Sequence, residues 1–436
     1  MNKLTVLLAL VVVACLGGAA YIGIGNLNRG TPSVLPESTA ERESSVRAAF
    51  SPSADGSVGT SVTDDPHLFD EIGAFFEGLG EALASGDADE IEQRFSMEAL
   101  FAYSEKAGLI DLAGIDRQEL RNFIAGAKRG FANSAPTSAF SDPRIMRIER
   151  IRDGELIVYL RARNTALNIG IKQRWWLIKD ADGKWRAYDN EDVEHPLRTS
   201  ALLASVLSIG NHQRPWTADF IQLGKAMKGL SAETDGDTFS QIDNCTARLL
   251  EHRLPRAIEG FVCTLRAGAL AENGDTGEVA ELLDRVDELT PGAPGTYFLR
   301  GRLHFFEDEP EEAIDQFHKY VDVLGWDAEV HESLADCYLE IGDKEKCIEH
   351  ARKGLADTPT SVGCLSSLAV SLPPDERGEL DQHFDNMEGE ESAYGAALDY
   401  AVNLELYEVR DYLLAKLMED FPDSVLLGQY RVEADE

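Results

Sequence analysis

Apolar positions recur at helical spacing from Leu68 onward: Leu68, Ile72, Phe75, Phe76, Leu79 and Leu83 fall on one face. Asp65-Pro66 supplies an N-cap and a proline at the first helical position, and Gly86 stands where the helix should stop. A short second helix is predicted over "DADEIEQRFS". A third starts at Asp116, with Leu120, Phe123, Ile124, Ala127 and Phe131 on one side. After Pro143 the period changes to two. "RIMRIERIRDGELIVYLRARN" and "IGIKQRWWLIKDADGKWRAYDNEDV" read as strands, with Asp153-Gly154 and Asp182-Gly183 as hairpin turns. Three helices and a curved antiparallel sheet define an α+β domain over residues 66–197.

Beyond Pro196 no strand pattern follows. Residues 198–259 read as an irregular helical connector, with "TADFIQLGKAMKGL" and "TFSQIDNCTARLLEHRL" as amphipathic segments. Then a repeat sets in. Blocks 260–293, 294–327 and 328–361 align without a gap at 34 residues. Their eighth positions are Ala267, Gly301 and Ala335, their twentieth Val279, Ala313 and Cys347, and their twenty-fourth Leu283, Phe317 and Ala351. Small residues at eight and twenty let two antiparallel helices approach closely. An apolar residue at twenty-four fills the gap to the next block. Gly274 and Gly342 share position fifteen, where block two has Asp308; Pro291 and Pro359 share position thirty-two. Past 361 the pattern decays at Pro373-Pro374, and a degenerate helix pair caps the array near residue 430.

This phase resembles the tetratricopeptide repeat. The resemblance implies an all-α solenoid presenting a groove to a protein or peptide partner. Its lining falls at positions two, five, nine, twelve and thirteen of each first helix, here including Glu272, Phe298, Arg302, Phe305, Phe306, Glu332, Asp336 and Glu340. Aromatic anchors beside carboxylates suit a partner with basic and apolar side chains. The Lys and Asn set with which some family members clamp a C-terminal carboxylate is missing. Residues 66–197, through "ALASGDADEIEQRFS" and "WWLIKDADGKWRAYDNEDV", resemble the nuclear transport factor two-like superfamily, which includes SnoaL cyclases and ketosteroid isomerases. That resemblance implies a bent sheet wrapped round the long helix, leaving a cone. Tyr159, Trp175, Tyr188, Asp189 and His195 are the residue types available for a pocket in it. No spacing among them pairs a general base with a partner; small-molecule binding or isomerase- or cyclase-like catalysis in the cone is the competing reading, set against a packed wall.

The amino end changes the picture of location. Leu4–Gly25 carries no charge and is long enough to cross a bilayer as a helix. The expectation for residues 1–25 is an uncleaved anchor, with the bulk of the chain extracytoplasmic in a bacterial envelope. A lipoprotein signal ending at Cys15 and a cleaved secretory signal are the alternatives. Residues 26–65, rich in Ser, Thr, Pro, Ala and Gly, read as a disordered linker.

Charge and cysteines narrow the chemistry. With 77 acidic and 41 basic residues the chain carries a formal charge of −36, which disfavours nucleic acid. Yet residues 144–186 hold eleven basic and five acidic residues. Arg161 and Arg163 share one strand face, as do Lys172 and Arg174 on the next strand; a solvated basic sheet face is expected there, with an anionic ligand or docking against the acidic C-terminal part as alternatives. Six cysteines are too few for a disulfide-built fold. Cys347 occupies a small-residue position of the repeat. Cys337 with Cys347, and Cys245 with Cys263, are candidate disulfides in an oxidising compartment. Ten-residue spacing is no zinc arrangement, and no metal or cofactor is expected.

Overall fold

Asp65 caps the first helix through its carboxylate, which accepts from the His67 N–H at 3.1 Å, and Pro66 opens it. This is α1, Pro66–Ser85, closed by Gly86 at φ 67°. A computed structural model describes residues 61–107, 109, 117–165, 169–194, 196–202, 216–229, 236–272, 275–290, 293–387 and 390–432. The apolar run Leu4–Gly25, Cys15, most of the linker and His195 lie outside the described residues. Among the described residues no helix is long and apolar enough to cross a membrane.

Three more helices precede the sheet: α2, Ala88–Arg94; α3, Met97–Lys106; and α4, Arg117–Ser134. The sequence pattern predicted only two after α1. The extra one, α3, starts where the Ser96 hydroxyl accepts from the Ala99 N–H at 3.1 Å. The strands are β1, Ser61–Val62; β2, Phe140–Arg152; β3, Glu155–Asn164; β4, Ile169–Lys179; and β5, Trp185–Asp192. They form one antiparallel sheet in the order β1-β2-β3-β4-β5. Its first strand is a correction to the expected linker: Ser61 and Val62 pair with Arg150 and Glu149. The turns at Gly154 and Gly183 have φ 76° in both cases, which glycine adopts without strain. Register shifts along β2 and between Trp176 and Leu177 supply the curvature.

Strand alternation gives the sheet two faces. One carries Leu156, Val158, Leu160, Trp175 and Leu177 into a core closed by α1 and its neighbours. Phe76, Phe95 and Phe140 surround Trp175 with ring centroids at 5.7, 6.4 and 6.4 Å. A second core draws on Leu197, Trp216, Phe220, Ile242, Leu249, Ile258, Phe261 and Leu265. It packs α5, Trp216–Gly229; α6, Gly236–Leu250; and α7, Arg256–Glu272.

The repeats follow as helix pairs. First α7 with α8, Val279–Leu289; then α9, Pro294–Phe306, with α10, Pro310–Leu324; then α11, Ala328–Glu340, with α12, Lys344–Asp357. Beyond them lie α13, Val362–Ser371; α14, Glu379–Phe384; α15, Glu390–Asn403; α16, Tyr407–Asp420; and α17, Leu426–Val432. The starts of α9 and α11, and of α10 and α12, keep the 34-residue interval. Two compact units divide at Leu299/Arg300, within α9.

Small residues at the repeat positions have visible causes. A Cβ on Gly301 would lie 2.6 Å from the Phe317 ring, so position eight makes room for position twenty-four. Asp308 takes over the glycine position of block two with φ 59°, matching Gly342 at φ 79°; aspartate tolerates this region better than most side chains. Ala335, Cys347 and Ala351 are fully buried. Ala335→Trp should therefore wedge α11 from α12 at a cost of about 1–3 kcal/mol or more. Hydrogen exchange is expected to rise throughout residues 300–432 while β2–β5 keep their protection. Equal loss in both places would make the two units one cooperative structure.

Candidate functional site

The first helices of the second unit carry the predicted groove. Asp327 caps α11, accepting from the Val330 N–H at 2.9 Å, so Glu332 and Asp336 emerge four residues apart on one face. Both meet α13. A Cβ on Gly363 would collide with the Glu332 carboxylate, so only glycine lets that side chain lie against the helix. Ser361 Oγ donates to Glu332 at 3.5 Å. Ser367 Oγ and the Tyr400 hydroxyl donate to one oxygen of Asp336 at 2.8 and 2.7 Å. One aspartate thus joins α11, α13 and α15.

Burial sets the electrostatics. It pushes the Glu332 carboxyl up to about 7, aided by the charges of Asp336 and Glu329 and opposed by Arg302. Asp336 is also raised by burial, against the hydrogen bonds from Tyr400 and Ser367 and the charge of Arg302. These two acids are half-buried and part of the packing, whereas a groove of open charges was expected. Glu340 is exposed. Phe305 is half-buried and Phe306 is 44% exposed, their rings 6.2 Å apart, and the Arg302 guanidinium lies 5.5 Å from the Phe306 ring centroid.

The remaining groove candidates fall in the first unit. Phe298 is buried, with Lys172 Nζ 5.7 Å from its ring centroid. Glu272 ends α7, and its side chain is outside the described residues.

The cone candidates separate. Trp175 lies in the aromatic core, whereas Tyr159, Tyr188 and Asp189 stand on the opposite face of the sheet. There the structure builds a cluster that the sequence did not announce. Arg198 lies 3.7 Å from the centroid of the Trp176 ring and 4.7 Å from that of Tyr103. It donates to Asp189 at 2.8 Å and to the Tyr103 hydroxyl at 2.8 Å. Asp189 also accepts from the Ser200 N–H and hydroxyl at 3.0 and 2.6 Å. Tyr188 donates to buried Glu155 at 2.8 Å, and its hydroxyl is raised far above the ordinary tyrosine range by burial and that carboxylate. Tyr159 lies between Arg147 and Arg174, each 5.9 Å from its ring centroid, and burial raises its hydroxyl too.

The expected solvated basic face is corrected in part: Arg163 is exposed, but other cations of the sheet are paired or buried. Lys172 pairs with Glu194 at 2.9 Å, Arg174 with Glu191, and Arg147 with Glu149 at 2.8 Å. Lys172 and Glu191 are buried. Acids from β2, β5 and the segment after β5 thus neutralise Arg147, Arg174 and Lys172.

The candidate disulfides are not made: Cys245, Cys263, Cys337, Cys347 and Cys364 are buried free thiols. Cys347 faces α13, where its sulfur meets Ser371 Oγ at 3.0 Å. Cys245 accepts from Arg248 at 3.4 Å. Burial pushes Cys337 and Cys364 up to about 12 and Cys263 and Cys347 up to about 11, which suppresses the thiolate. Among the described residues, His304, Glu307 and Glu309 have ligand atoms within 4.8 Å of one another, at the end of α9 and in the turn before α10.

A scan against protein-family models finds no match, and a search of curated proteins finds none. Three solved structures show partial likeness. MamA is 19% identical with a TM-score of 0.30, over 44% of this chain and 95% of that one. YrrB, described as a TPR protein with an unusual peptide-binding site, is 14% identical with a TM-score of 0.29, over 43% and 97%. PilW, a type IV pilus biogenesis factor, is 16% identical with a TM-score of 0.36, over 49% and 98%. With TM-scores this low, a functional reading rests on the helix pairs of the chain itself.

Proposed function

We propose that the chain is a membrane-anchored, extracytoplasmic scaffold that holds a protein or peptide in a tetratricopeptide-type groove on its second unit. Asp336 carries this reading. It draws the first helices α11, α13 and α15 into one polar seam, beside which Arg302, Phe305 and Phe306 offer an aromatic surface. Exposed Phe306 and Glu340 suit apolar and basic side chains of a partner. The first unit is proposed as a nuclear transport factor two-like cone whose inner face is filled by Phe76, Phe95, Phe140 and Trp175, which supports a packing role over catalysis. The uncharged run Leu4–Gly25 would provide the anchor.

Fluorescence anisotropy of a labelled Lys/Leu peptide against the full chain tests the groove. Binding should exceed that of a Glu/Leu peptide and weaken as ionic strength passes 0.1 M, where the screening length is about 10 Å. Phe306→Ala with Glu340→Lys should weaken it about tenfold or more, as loss of an aromatic anchor does. Unchanged affinity in that variant would remove the groove from consideration. In the same preparation the full chain should sediment with membranes and a chain lacking residues 1–25 should not.

A further inference from the structure

Three of the nine histidines converge on one tryptophan. Trp326, in the turn between α10 and α11, stacks on His331 with centroids 4.9 Å apart and planes 8° from parallel. His350 of α12 lies 5.7 Å away, and His318 of α10 meets the indole edge-on at 5.8 Å. Tyr338 stacks on the other imidazole, His350, at 5.3 Å. Within this aromatic box the Nδ1 atoms of His331 and His350 are 3.0 Å apart. Both histidines are buried, whereas Trp326 is 42% exposed, so the indole roofs the pair against solvent.

A hydrogen bond between two imidazoles uses one proton: one Nδ1 carries it and the other accepts. A second proton on the facing nitrogens would set two N–H groups and two positive charges against each other. Around His350, burial and most of the facing charges add to that cost. Of the charges facing His350, His331 and His318 come from α11 and α10, and Lys353 and Glu349 from α12 itself. Glu349 alone among them favours a positive ring, and Lys353 Nζ already donates to it at 2.6 Å. Lys346 stands over Tyr338, 4.8 Å from the ring centroid. At the start of α11 the carboxylates of Asp327 and Asp357 accept from the N–H groups of Val330 and Ala328. His331 is the fourth residue of α11, near the positive end of the helix dipole, which also resists a positive ring.

We propose that His331 and His350, roofed by Trp326, form a proton-operated latch between α11 and α12 that is shut when the pair shares one proton and opens when both rings are charged. Burial and the neighbouring cations push the His350 imidazole down to about 4, so the latch stays shut at neutral pH and opens in acid. Opening frees the edge of the third repeat. It also shifts α11, whose next residue, Glu332, lies against Gly363 on the α13 side. The latch does not depend on what the groove binds.

Trp326 is the single tryptophan beyond residue 299 and reports the event. The difference in emission between the full chain and its Trp326→Phe variant isolates that indole. Between pH 7.5 and 3.5 it should shift reversibly to longer wavelength, with a midpoint near the pKa of about 4. His350→Gln, which cannot take a charge, should abolish the shift. The same transition in His350→Gln, or a flat wild-type difference spectrum, overturns the latch. Hydrogen exchange of the wild type is the second measurement, independent of whether the variant folds. Acid loosening is expected at α11 and α12 well before α7 and α8. Simultaneous loosening of all four helices would mean general acid unfolding and no latch.

Discussion

Arg198→Met is expected to destabilise the first unit by about 3–5 kcal/mol, the cost of leaving one buried charge without its partner. The guanidinium is stacked between Trp176 and Tyr103 and hydrogen-bonded to Asp189 and to the Tyr103 hydroxyl. Asp189 is fully buried and keeps its bonds from Ser200 whatever happens to residue 198, so its carboxylate cannot turn to water. Thermal unfolding by circular dichroism measures the loss. Adding Asp189→Asn should recover a large part of it, because the double change removes the unpaired charge and leaves hydrogen bonds that an amide can make. A loss below 1 kcal/mol in the single variant would mean that water reaches the cluster and screens it.

Glu332→Gln should act in the opposite direction and only at high pH. Glu332 is held near 7 in the folded chain, above the value of about 4.5 expected when unfolded. Between those values the folded chain keeps a proton that the unfolded chain has released. Stability from this group is therefore full below pH 4.5 and is lost as pH rises through 7. A shift of this size corresponds to about 3 kcal/mol. The glutamine variant should be more stable than wild type by about that much at pH 8 and equal to it at pH 4. His350 runs the other way: its folded value is depressed to about 4 from 6.5, so its contribution is full above 6.5 and lost as pH falls through 4. The two slopes oppose each other between 4.5 and 6.5. Wild type should be nearly flat there, and Glu332→Gln should lose stability steadily on acidification. Opening free energies of α11 and α13 from hydrogen exchange would check both. A variant whose pH profile parallels wild type would show that Glu332 is solvated when folded.

Elements governed by neighbours in sequence were legible from the chain alone. The Asp65 cap, the turns at Gly154 and Gly183 and the stop at Gly86 each depend on a few adjacent residues. The 34-residue phase is legible for a related reason: each repeat buries the same positions against the next, so Gly301 opposite Phe317 leaves a periodic trace. Asp308 was visible as a departure from glycine, and its φ of 59° shows that the turn was kept.

Pairing across the fold was not legible. The charge surplus of residues 144–186 looked like a solvated face because Glu191 and Glu194 arrive from beyond that stretch to neutralise Arg174 and Lys172. Cys337 and Cys347 shared a repeat, but side-chain direction sent Cys347 to Ser371 on the next helix. Glu332 and Asp336 fall on the helix that the pattern predicts but are half-buried, since Gly363 and Tyr400 lie 31 and 64 residues beyond Glu332 and Asp336, respectively. His331 and His350, 19 residues apart, meet only when α11 packs on α12. Helix caps, hairpin turns and the repeat period could be read from the chain alone, because those follow from local backbone preference and repeated burial. Tertiary structure alone decided which charges are buried, which thiols stay apart and which histidines share a proton, because each depends on a partner that folding brings from far along the chain.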